Sequence, residues 1–361
     1  MKTVFVNSIQ HFCEDECISE RLKKCYTNTG NFVWHDCCKK EIDYDYEVDL
    51  FNLPKGIEDS NLVVAADNTL SPYESLFSKR LRRLLECKTQ ITLIGLGAQA
   101  NKELNTPKKL VKAIPKSKIR LFEEIADRSV SIGVRGEFTA DCLKCMGIHN
   151  YQVIGCPSFY SSVLSNDNVM ALAKIRKISI NITGGGKCDH KLLELIFKYG
   201  VNSKLILQGK WDMAEVSHEG KKMTTQMLER GLPNISIKRS LLENYWKKNA
   251  QIFFDLNEWK EYIQKEKFTF SLGTRLHGNM IHFLMGVPAL WITHDSRTQE
   301  IAELLKLPYM TDKEFLKKRY VEEVMEKCVY GDDFYENYNK MKNIYISFLN
   351  GNNVKHNLLS S

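Results

Sequence analysis

No apolar run in this 361-residue sequence is long enough to span a bilayer, so we expect no transmembrane helix. The amino-terminal residues turn acidic too soon for a secretory signal peptide. Zinc-finger spacings are lacking, as are RNA-binding signatures with interleaved aromatic residues, and this argues against nucleic acid as a partner. Internal repeats, low-complexity tracts and long linkers are absent too. With 43% hydrophobic and 26% charged residues, the composition is that of an ordinary globular protein.

The 11 cysteines are odd in number and scattered, which disfavours a disulfide framework and favours reduced thiols in the cytoplasm. Cys142 and Cys145, with His149 nearby, are metal-ligand types at a plausible spacing. Because a second pair of ligands is lacking, a packed helix face is the preferred interpretation, and we predict no metal ion.

The chain carries a modest positive charge of +7. This charge suits an acidic substrate or an anionic membrane surface better than it demands nucleic acid. A basic run over residues 101–120 could contact anionic lipid or a pyrophosphate-linked sugar, although a solvated helix face is the simpler interpretation. Peripheral contact with the inner membrane surface is therefore left open, as is a homo-oligomer.

Continuous apolar runs alternate with helical stretches along the chain, a pattern typical of parallel sheets in an α/β protein. The predicted strands lie at 61–67, 90–97, 129–135, 151–155, 177–183, 203–209, 235–238, 268–273 and 289–295. A polar stretch of small residues at 161–173 is the predicted hinge, and the strand–helix rhythm restarts after it.

This restart predicts two Rossmann-like, doubly wound α/β domains that face a central cleft. We expect the first domain over 1–165 and the second over 174–315, with a charged helical segment over 316–361 that packs back on the first. Ligands are expected in the cleft, where the carboxyl ends of the strands meet.

The most informative stretch is SLGTRLHGNMIHFLMGVPALWITHD, at 271–295. It predicts a strand, then a helix that Thr274 caps and Gly286 stops, then a second strand. Arg275 and His277 would fall in the first turn of this helix. Free backbone N–H groups and the positive end of the helix dipole favour an anion there.

Each residue of this turn has a chemical property that suits such a site. Arg275 offers a planar fork for a carboxylate or phosphate, and His277 titrates near neutral pH and could move a proton as a catalytic acid or base. Gly278 would let a ligand approach the backbone, and Leu276 belongs to the same binding turn. The structural alternative is a surface arginine and a core histidine that bonds a carbonyl.

The end of the next predicted strand, at 289–295, also leads into a helix with an arginine near its start. Ser296 is predicted to cap a helix, with Gln299 completing a capping box. Arg297 then falls in the first turn and Glu300 one turn later, and both could bind substrate in the same cleft as Arg275. A capped helix with solvated charges explains these residues equally well.

A glycine cluster lies in the stretch NITGGGKCDH, residues 181–190. The backbone amides of Gly184 and Gly185 could cradle an anion. A tight turn between a strand and a helix is the alternative.

Three stretches together resemble the polysaccharide pyruvyl transferase family. Residues 273–300 contain an Arg-x-His-Gly segment before a helix, then Gly-x-Pro, a strand and Asp-x-Arg, which is similar to the family signature. Residues 132–158, IGVRGEFTADCLKCMGIHNYQVIGCPS, resemble a second family segment. Residues 28–38, NTGNFVWHDCC, resemble the glycine-containing first turn of the family.

The resemblance implies a fold similar to GT-B glycosyltransferases and a reaction that moves pyruvate from phosphoenolpyruvate onto two hydroxyls of one sugar, as a ketal. Phosphoenolpyruvate would be a co-substrate, and no further cofactor is implied. The acceptor would be a lipid-linked or nucleotide-linked sugar of a cell-surface polysaccharide. The first domain would take the acceptor and the second domain the donor.

Carried over residue by residue, His277 matches the histidine that acts as acid or base. Arg275 matches a donor-binding arginine, Arg135 matches another, and Asn31 lies in the substrate-binding first turn. One departure is the sequence CPSFY, where many members have Pro-Asp. A carboxylate role near residue 158 therefore cannot be carried over.

Two other functions stay open on the sequence alone. A GT-B glycosyltransferase that uses a nucleotide sugar needs a base and ribose pocket, which the sequence neither shows nor excludes. A catalytically inactive carbohydrate-binding protein could keep the fold, but the presence of Arg275 and His277 counts against it.

Overall fold

The computed structural model describes residues 1–10, 15–54, 57, 59–100, 103–161, 176–209 and 211–358. The predicted hinge at 161–173 lies outside the described residues except for Ser161, and so do the predicted domain boundaries at 165 and 174.

The first half of the chain forms a parallel sheet with helices on both faces. Its strands are β1 (Lys2–Asn7), β2 (Tyr46–Asp49), β3 (Ser60–Ala65), β4 (Gln90–Ile94), β5 (Ile132–Val134) and β6 (Tyr151–Val153). Its helices are α1 (Ile18–Lys24), α2 (Asn31–Glu41), α3 (Leu76–Leu81), α4 (Pro107–Ala113), α5 (Lys116–Asp127) and α6 (Glu137–Cys145), with 3₁₀ turns at Leu50–Asn52, Arg82–Glu86 and Pro157–Tyr160. The strand order is β2-β1-β3-β4, and a parallel bridge from Leu96 to Val134 adds the pair β5-β6.

The second half forms another parallel sheet, in the order β12-β11-β10-β7-β8-β9. Its strands are β7 (Ile178–Asn181), β8 (Ser203–Leu207), β9 (Ala250–Ile252), β10 (Phe270–Gly273), β11 (Ala289–Thr293) and β12 (Tyr309–Thr311). Its helices are α7 (Lys187–Tyr199), α8 (Trp211–His218), α9 (Thr225–Gly231), α10 (Arg239–Asn249), α11 (Leu256–Glu266), α12 (Leu276–Leu284), α13 (Ser296–Leu304), α14 (Asp312–Leu316), α15 (Val321–Met325) and α16 (Asp332–Gly351).

Both sheets are doubly wound, because the strand order reverses between β1 and β3 in the first and between β7 and β10 in the second. The strands are rich in apolar residues because both faces are covered: every residue of β3, β7, β10 and β11 is buried. The predicted fold class, α/β with two parallel sheets, is confirmed. Within the described part of the chain, every helix is too short or too polar to cross a membrane.

One predicted strand, at 235–238, is wrong. This segment forms no strand, and Ile235 and Ile237 are half-buried against the core of the second half. The alternating pattern therefore reports an extended segment that buries every second side chain and has no neighbouring strand to pair with. The strand next to β8, at one edge of this sheet, is instead β9, which follows α10.

The two predicted helix caps are each displaced by one residue. Arg275, not Thr274, is the N-cap of α12, and the Thr274 hydroxyl instead donates to Asp189 Oδ1 at 2.7 Å. Asp295, not Ser296, is the N-cap of α13, where its carboxylate accepts the backbone N–H of residue 298 at 2.8 Å. The carboxylate is the stronger acceptor for a free backbone N–H, because it is charged.

Helix α16 covers a face of the first sheet. Phe5 and Val63 of that sheet share a buried cluster with Tyr345 and Phe348 of α16. Just after the helix, the carbonyl of Asn352 accepts side-chain N–H groups from the amino ends of β3 and β4, at 2.8 and 3.0 Å. The carboxy-terminal segment thus contacts the first half along the helix and at its end.

The close pairing of β10 with β7 predicts a strict need for glycine at position 273. A Cβ on Gly273 would lie 1.9 Å from the carbonyl oxygen of Asn181, so alanine would force the two strands apart. We expect Gly273→Ala to lower the free energy of unfolding by about 3 kcal/mol or more, measured by urea denaturation. Gly351→Ala is the matched control, because nothing lies within 4 Å of its added Cβ. Equal denaturation midpoints for the two variants would contradict the packing at β10.

Candidate active site

The crevice at the carboxyl ends of β7 and β10 is where the strand order of the second sheet reverses. Ligands of doubly wound sheets bind at such points. The backbone places Thr183 just beyond β7, Arg275 just beyond β10 and Arg297 just beyond β11. The predicted glycine turn after β7, the turn of Arg275 and the turn of Arg297 therefore lie at the same edge of the sheet.

Arg275 is half-buried and has few partners of its own. Its Nη2 atom donates to the carbonyl of Thr183 at 3.5 Å, and its buried Nε atom has no hydrogen-bond partner among the described residues. Burial, with the nearby positive charge of Arg297, lowers the pKa of Arg275 to about 10. Such a guanidinium, half removed from water and only weakly paired, favours an anionic ligand.

Arg297 lies in the first turn of α13 and, like Arg275, is half-buried and only weakly paired. Its Nη2 atom lies 3.2 Å from Oδ2 of Asp295, while its buried Nε atom has no partner in the described part of the chain. The two arginines influence each other electrostatically, so they lie near one another across the crevice. Together they could contact two anionic groups of one ligand.

His277 lies next to these arginines and is only 7% exposed. Burial and the positive charges of Arg135, Arg297 and Arg275 hold the pKa of His277 well below its ordinary value, so the ring is neutral without a ligand. Because a bound anion would offset these charges, it would raise the pKa of the ring.

The first half of the chain contributes the other wall around His277. Its Nε2 atom lies 3.5 Å from the thiol of Cys156, which in turn lies 3.1 Å from the Ser158 hydroxyl. The CPSFY segment, in which many members of the resembling family have Pro-Asp, is therefore placed directly against the histidine, with a thiol and a hydroxyl instead of a carboxylate. From another side, a Cβ on Gly30 would lie 3.3 Å from His277 Cβ, so the start of α2 reaches the same ring.

Arg135 is 1% exposed and bonded within the first half. Its Nε and Nη2 atoms donate to the carbonyls of Gly95 and Ala66 at 2.6 and 3.0 Å, and its Nη1 atom donates to Asn68 Oδ1 at 3.2 Å. The guanidinium thus joins the ends of β3 and β4. Its charge reaches His277, and a ligand would have to use the N–H bonds that remain.

Glu300 connects the two halves of the molecule. Its carboxylate accepts the backbone N–H and the hydroxyl of Thr139 in α6, at 3.2 and 2.9 Å. A Cβ on Gly136 would lie 2.6 Å from Oε2 of Glu300, so the glycine makes room for the carboxylate. Burial raises the pKa of Glu300 to about 7. The predicted role of Glu300 in substrate binding stays a prediction.

The glycine cluster after β7 is a tight strand-to-helix turn, and a carboxylate side chain of the protein binds to its backbone. Gly184 and Gly185 have φ values of +87° and +82°, which favour glycine. The amide of Gly184 donates to Asp189 Oδ2 at 2.8 Å, and the same carboxylate accepts the hydroxyl of Thr274. Asp189 therefore occupies one amide that the sequence assigned to a ligand.

Two residues of the Arg-x-His-Gly turn are packed by protein. A Cβ on Gly278 would lie 2.1 Å from Gln208 Nε2 and 2.4 Å from Asn181 Oδ1, so side-chain amides fill the space expected for a ligand. Leu276 is 5% exposed, and its carbonyl accepts the indole N–H of Trp291 at 3.0 Å. Their predicted ligand contacts stay predictions.

Asn31, the first residue of α2, makes local bonds. Its side chain donates to the carbonyl of Cys25 at 3.0 Å and accepts from the indole of Trp34 at 3.3 Å. These bonds hold the turn that brings Gly30 against His277. The predicted contact of Asn31 with substrate is not tested by this geometry.

The predicted cleft contains a large cavity between the two halves, and the sequence did not single out most of the residues that line it. Its volume is about 840 Å³. The first half lines it with Pro72, Tyr73, Gln99, Ala100, Leu104 and Asn105, and the second half with Thr293, His294, Asp295, Ser296, Gln299, Thr311, Asp312 and Lys313. A signal for Tyr73 was available in the sequence, because Pro-Tyr in a polar turn after a strand is an unusual place for an aromatic residue.

Two weaker motifs have ordinary structural explanations. Within the basic run, Lys108, Lys109, Lys112 and Lys116 are exposed, whereas Lys118 is fully buried. Cys142 is buried and Cys145 is exposed, so the two thiols lie in different environments. No three side chains of the metal-ligating types converge within the described part of the molecule.

Solved structures with similar folds are distant from this chain. A putative UDP-N-acetylglucosamine 2-epimerase from Listeria monocytogenes is 11% identical, with a TM-score of 0.40 over 99% of each chain. S. aureus MnaA with UDP is 12% identical, with a TM-score of 0.41 over 97% of this chain and 98% of that one. The UDP-N-acetylglucosamine 2-epimerase from Rickettsia bellii is 12% identical, with a TM-score of 0.41 over 97% of each chain. No curated protein sequence matches the chain.

These distant structures do not show the family of the chain, but a match to a family model does. The model of the polysaccharide pyruvyl transferase family matches residues 13–296, which is most of the chain. The match includes the turn of Arg275 and His277 and the segment of Arg135. The protein belongs to the polysaccharide pyruvyl transferase family.

Proposed function

We propose that the protein is an enzyme that transfers pyruvate from phosphoenolpyruvate onto two hydroxyls of one sugar in a cell-surface polysaccharide or its precursor. The observation that carries this proposal is the pair Arg275 and Arg297, whose buried Nε atoms find no partner among the described residues and lie beside a neutral histidine. Phosphoenolpyruvate has a carboxylate and a phosphate, so two cationic groups near each other suit it.

The charge of the donor would prepare His277 for catalysis. The pKa of the ring is low in the free enzyme because it is buried among arginines. When the donor offsets those charges, the protonated imidazole becomes more favourable, and the ring can carry the proton that the reaction needs. His277 is therefore the catalytic acid of the proposal.

The chemistry follows from this arrangement. The imidazolium of His277 gives its proton to the methylene carbon of phosphoenolpyruvate, which becomes the methyl group. The central carbon gains oxocarbenium-like character, and a sugar hydroxyl adds to it and returns a proton to His277. Phosphate then leaves with protonation, and the second hydroxyl adds to the same carbon and loses its proton, which closes the ketal. Positioned proton transfer contributes about 10²–10⁴-fold to such steps.

The cytoplasm is the proposed compartment, since the ten cysteines within the described residues are unpaired thiols.

The alternative to pyruvyl transfer is a glycosyltransferase activity. Phosphate release from phosphoenolpyruvate with lipid-linked and nucleotide-linked sugars, beside calorimetric titration with nucleotide sugars, separates the two. Binding of nucleotide sugars without binding of phosphoenolpyruvate would overturn the proposal.

Removal of the Arg275 guanidinium should weaken donor binding. We expect Arg275→Ala to cost about 2–3 kcal/mol in phosphoenolpyruvate affinity, the range for a charge-assisted hydrogen bond. Arg275→Lys should restore only part of this, because the two-pronged fork is lost. Isothermal titration measures both, with Arg239→Ala as the control for loss of an exposed arginine. An unchanged affinity of Arg275→Ala would remove this residue from the donor site.

Removal of the His277 ring should affect turnover more than binding. We expect His277→Ala to bind phosphoenolpyruvate within a few fold of wild type and to lower kcat by about two orders of magnitude, because proton transfer stabilises the transition state alone. His218→Ala, at an exposed histidine, is the control. Normal turnover at saturating donor, combined with lost donor binding, would show that His277 binds the ligand and transfers no proton.

Donor binding should be coupled to proton uptake at His277. The folded free enzyme holds the ring neutral, and an anion favours its charged form, so the ring takes up a proton on binding and affinity falls as pH rises. Calorimetry in buffers of different ionisation enthalpy gives the number of protons. His277→Asn should take up fewer protons than wild type, with the titration of phosphoenolpyruvate itself common to both. Equal proton uptake would show that the ring stays neutral with donor bound.

A further inference from the structure

The cavity between the two halves adjoins the donor arginines but is chemically different from them. Asp295 lines this cavity, and its Oδ2 atom lies 3.2 Å from Nη2 of Arg297. The cavity and the arginine site are therefore adjacent and share Asp295. Arg275 and Arg297 are not among the residues that line it. A ligand in the cavity could therefore lie next to the donor without competing for its cations.

The charges of the lining do not suit a diphosphate. Among the described residues, its charged side chains are Asp295, Asp312 and Lys313, which together give no excess of positive charge. A nucleotide diphosphate or a lipid diphosphate would need cations or free helix amides around its phosphates. The starts of α13 and α14 line the cavity, but each is capped by a side chain of the protein. The exposed amides of Gln99 and Asn105 can instead donate to and accept from hydroxyl groups.

Tyr73 supplies the apolar part of the surface. Its side chain is 73% exposed, which is unusual for a large aromatic residue, and it lies at the wall of the cavity. Rings of this kind pack against the apolar faces of ligands and keep a polar hydroxyl at the edge. A sugar ring presents such a face together with hydroxyl groups.

A buried lysine holds the turn that presents this tyrosine. Lys118 is fully buried, and its ammonium group donates to the carbonyls of Ser71 and Tyr73 at 3.0 and 2.6 Å. Pro72 between them restricts the backbone further. Burying an ammonium ion is costly, so its use to fix one short turn indicates that the position of the turn matters.

We propose that this cavity binds the acceptor as neutral sugar units of an oligosaccharide, with Tyr73 stacked on one ring and the amides of Gln99 and Asn105 bonded to hydroxyls. The inference rests on the proposed function, because it places these sugars beside the donor site. At about 840 Å³, the cavity is at the upper end of the usual range for small-molecule sites and has room for more than one ring. Any phosphate carrier of the acceptor would lie outside it.

The test measures binding of the full chain to an array of immobilised neutral oligosaccharides. UDP and UDP-glucose are titrated in solution as anionic probes, and phosphoenolpyruvate is titrated as a check of the donor site. We expect wild type to bind neutral glycans, Tyr73→Ala to bind them about tenfold more weakly, and Tyr73→Phe to stay within about twofold of wild type because the ring is kept. Tyr320→Ala, at an exposed tyrosine outside the cavity, should bind as wild type does.

The outcomes separate this inference from the proposed function. Phosphoenolpyruvate should bind all four proteins equally, and its failure to bind wild type would contradict the proposed function. If the donor binds but wild type retains no neutral glycan, or Tyr73→Ala binds glycans as wild type does, the sugar site is not in this cavity. Binding of UDP that Tyr73→Ala abolishes would make it a nucleotide site. Melting temperatures confirm that the variants are folded.

Discussion

The site depends on three guanidinium groups whose positive charges act on one buried histidine ring. Arg135, Arg275 and Arg297 all lower the pKa of His277, so their positive charges converge on one buried ring. Holding like charges together away from water costs free energy unless each is compensated. Arg135 is compensated by acceptors of the first half and Arg297 in part by Asp295, while Arg275 has little more than one long bond. In our proposal, this incomplete compensation is what favours binding of an anion.

This constraint also explains why the site needs both halves. The second sheet alone supplies Arg275, Arg297 and the ring of His277, whereas Arg135 and the thiol beside the ring come from the first. Glu300 bonds Thr139 across the boundary, and these bonds join the two halves one helical turn from Arg297.

The sequence predicted the fold class and the place of Arg275 and His277 well, because local patterns determine both. Continuous apolar runs indicate strands covered on both faces, and a strand followed by Arg-x-His-Gly indicates a helix start. The false strand at 235–238 and the unpredicted strands β1, β2, β9 and β12 show the limit of such patterns. Whether an extended segment joins a sheet depends on a neighbour that is distant in sequence, and no local period reports it.

Contacts that form only in the folded chain explain what the sequence could not show about the site. The free amide of Gly184 is occupied by Asp189, and the open space at Gly278 is filled by Gln208 and Asn181. Each of these glycines has the local conformation or spacing expected of a ligand contact. Only the folded chain shows that side chains of the protein occupy the positions expected for a ligand. Likewise, only the folded chain places Tyr73 across the cavity from the start of α13.

The packing of α16 on the first sheet has a consequence for how the protein is made. More than two hundred residues separate the end of β4 from the start of α16, yet Tyr345 and Phe348 complete the cover over Phe5 and Val63. At about 5–20 residues per second, a ribosome takes on the order of ten to fifty seconds to synthesise that interval. For this time the nascent first half exposes part of an apolar sheet face. Chaperones are therefore suited to cover this face during synthesis, and faster translation would shorten its exposure, which ends only when α16 emerges and packs.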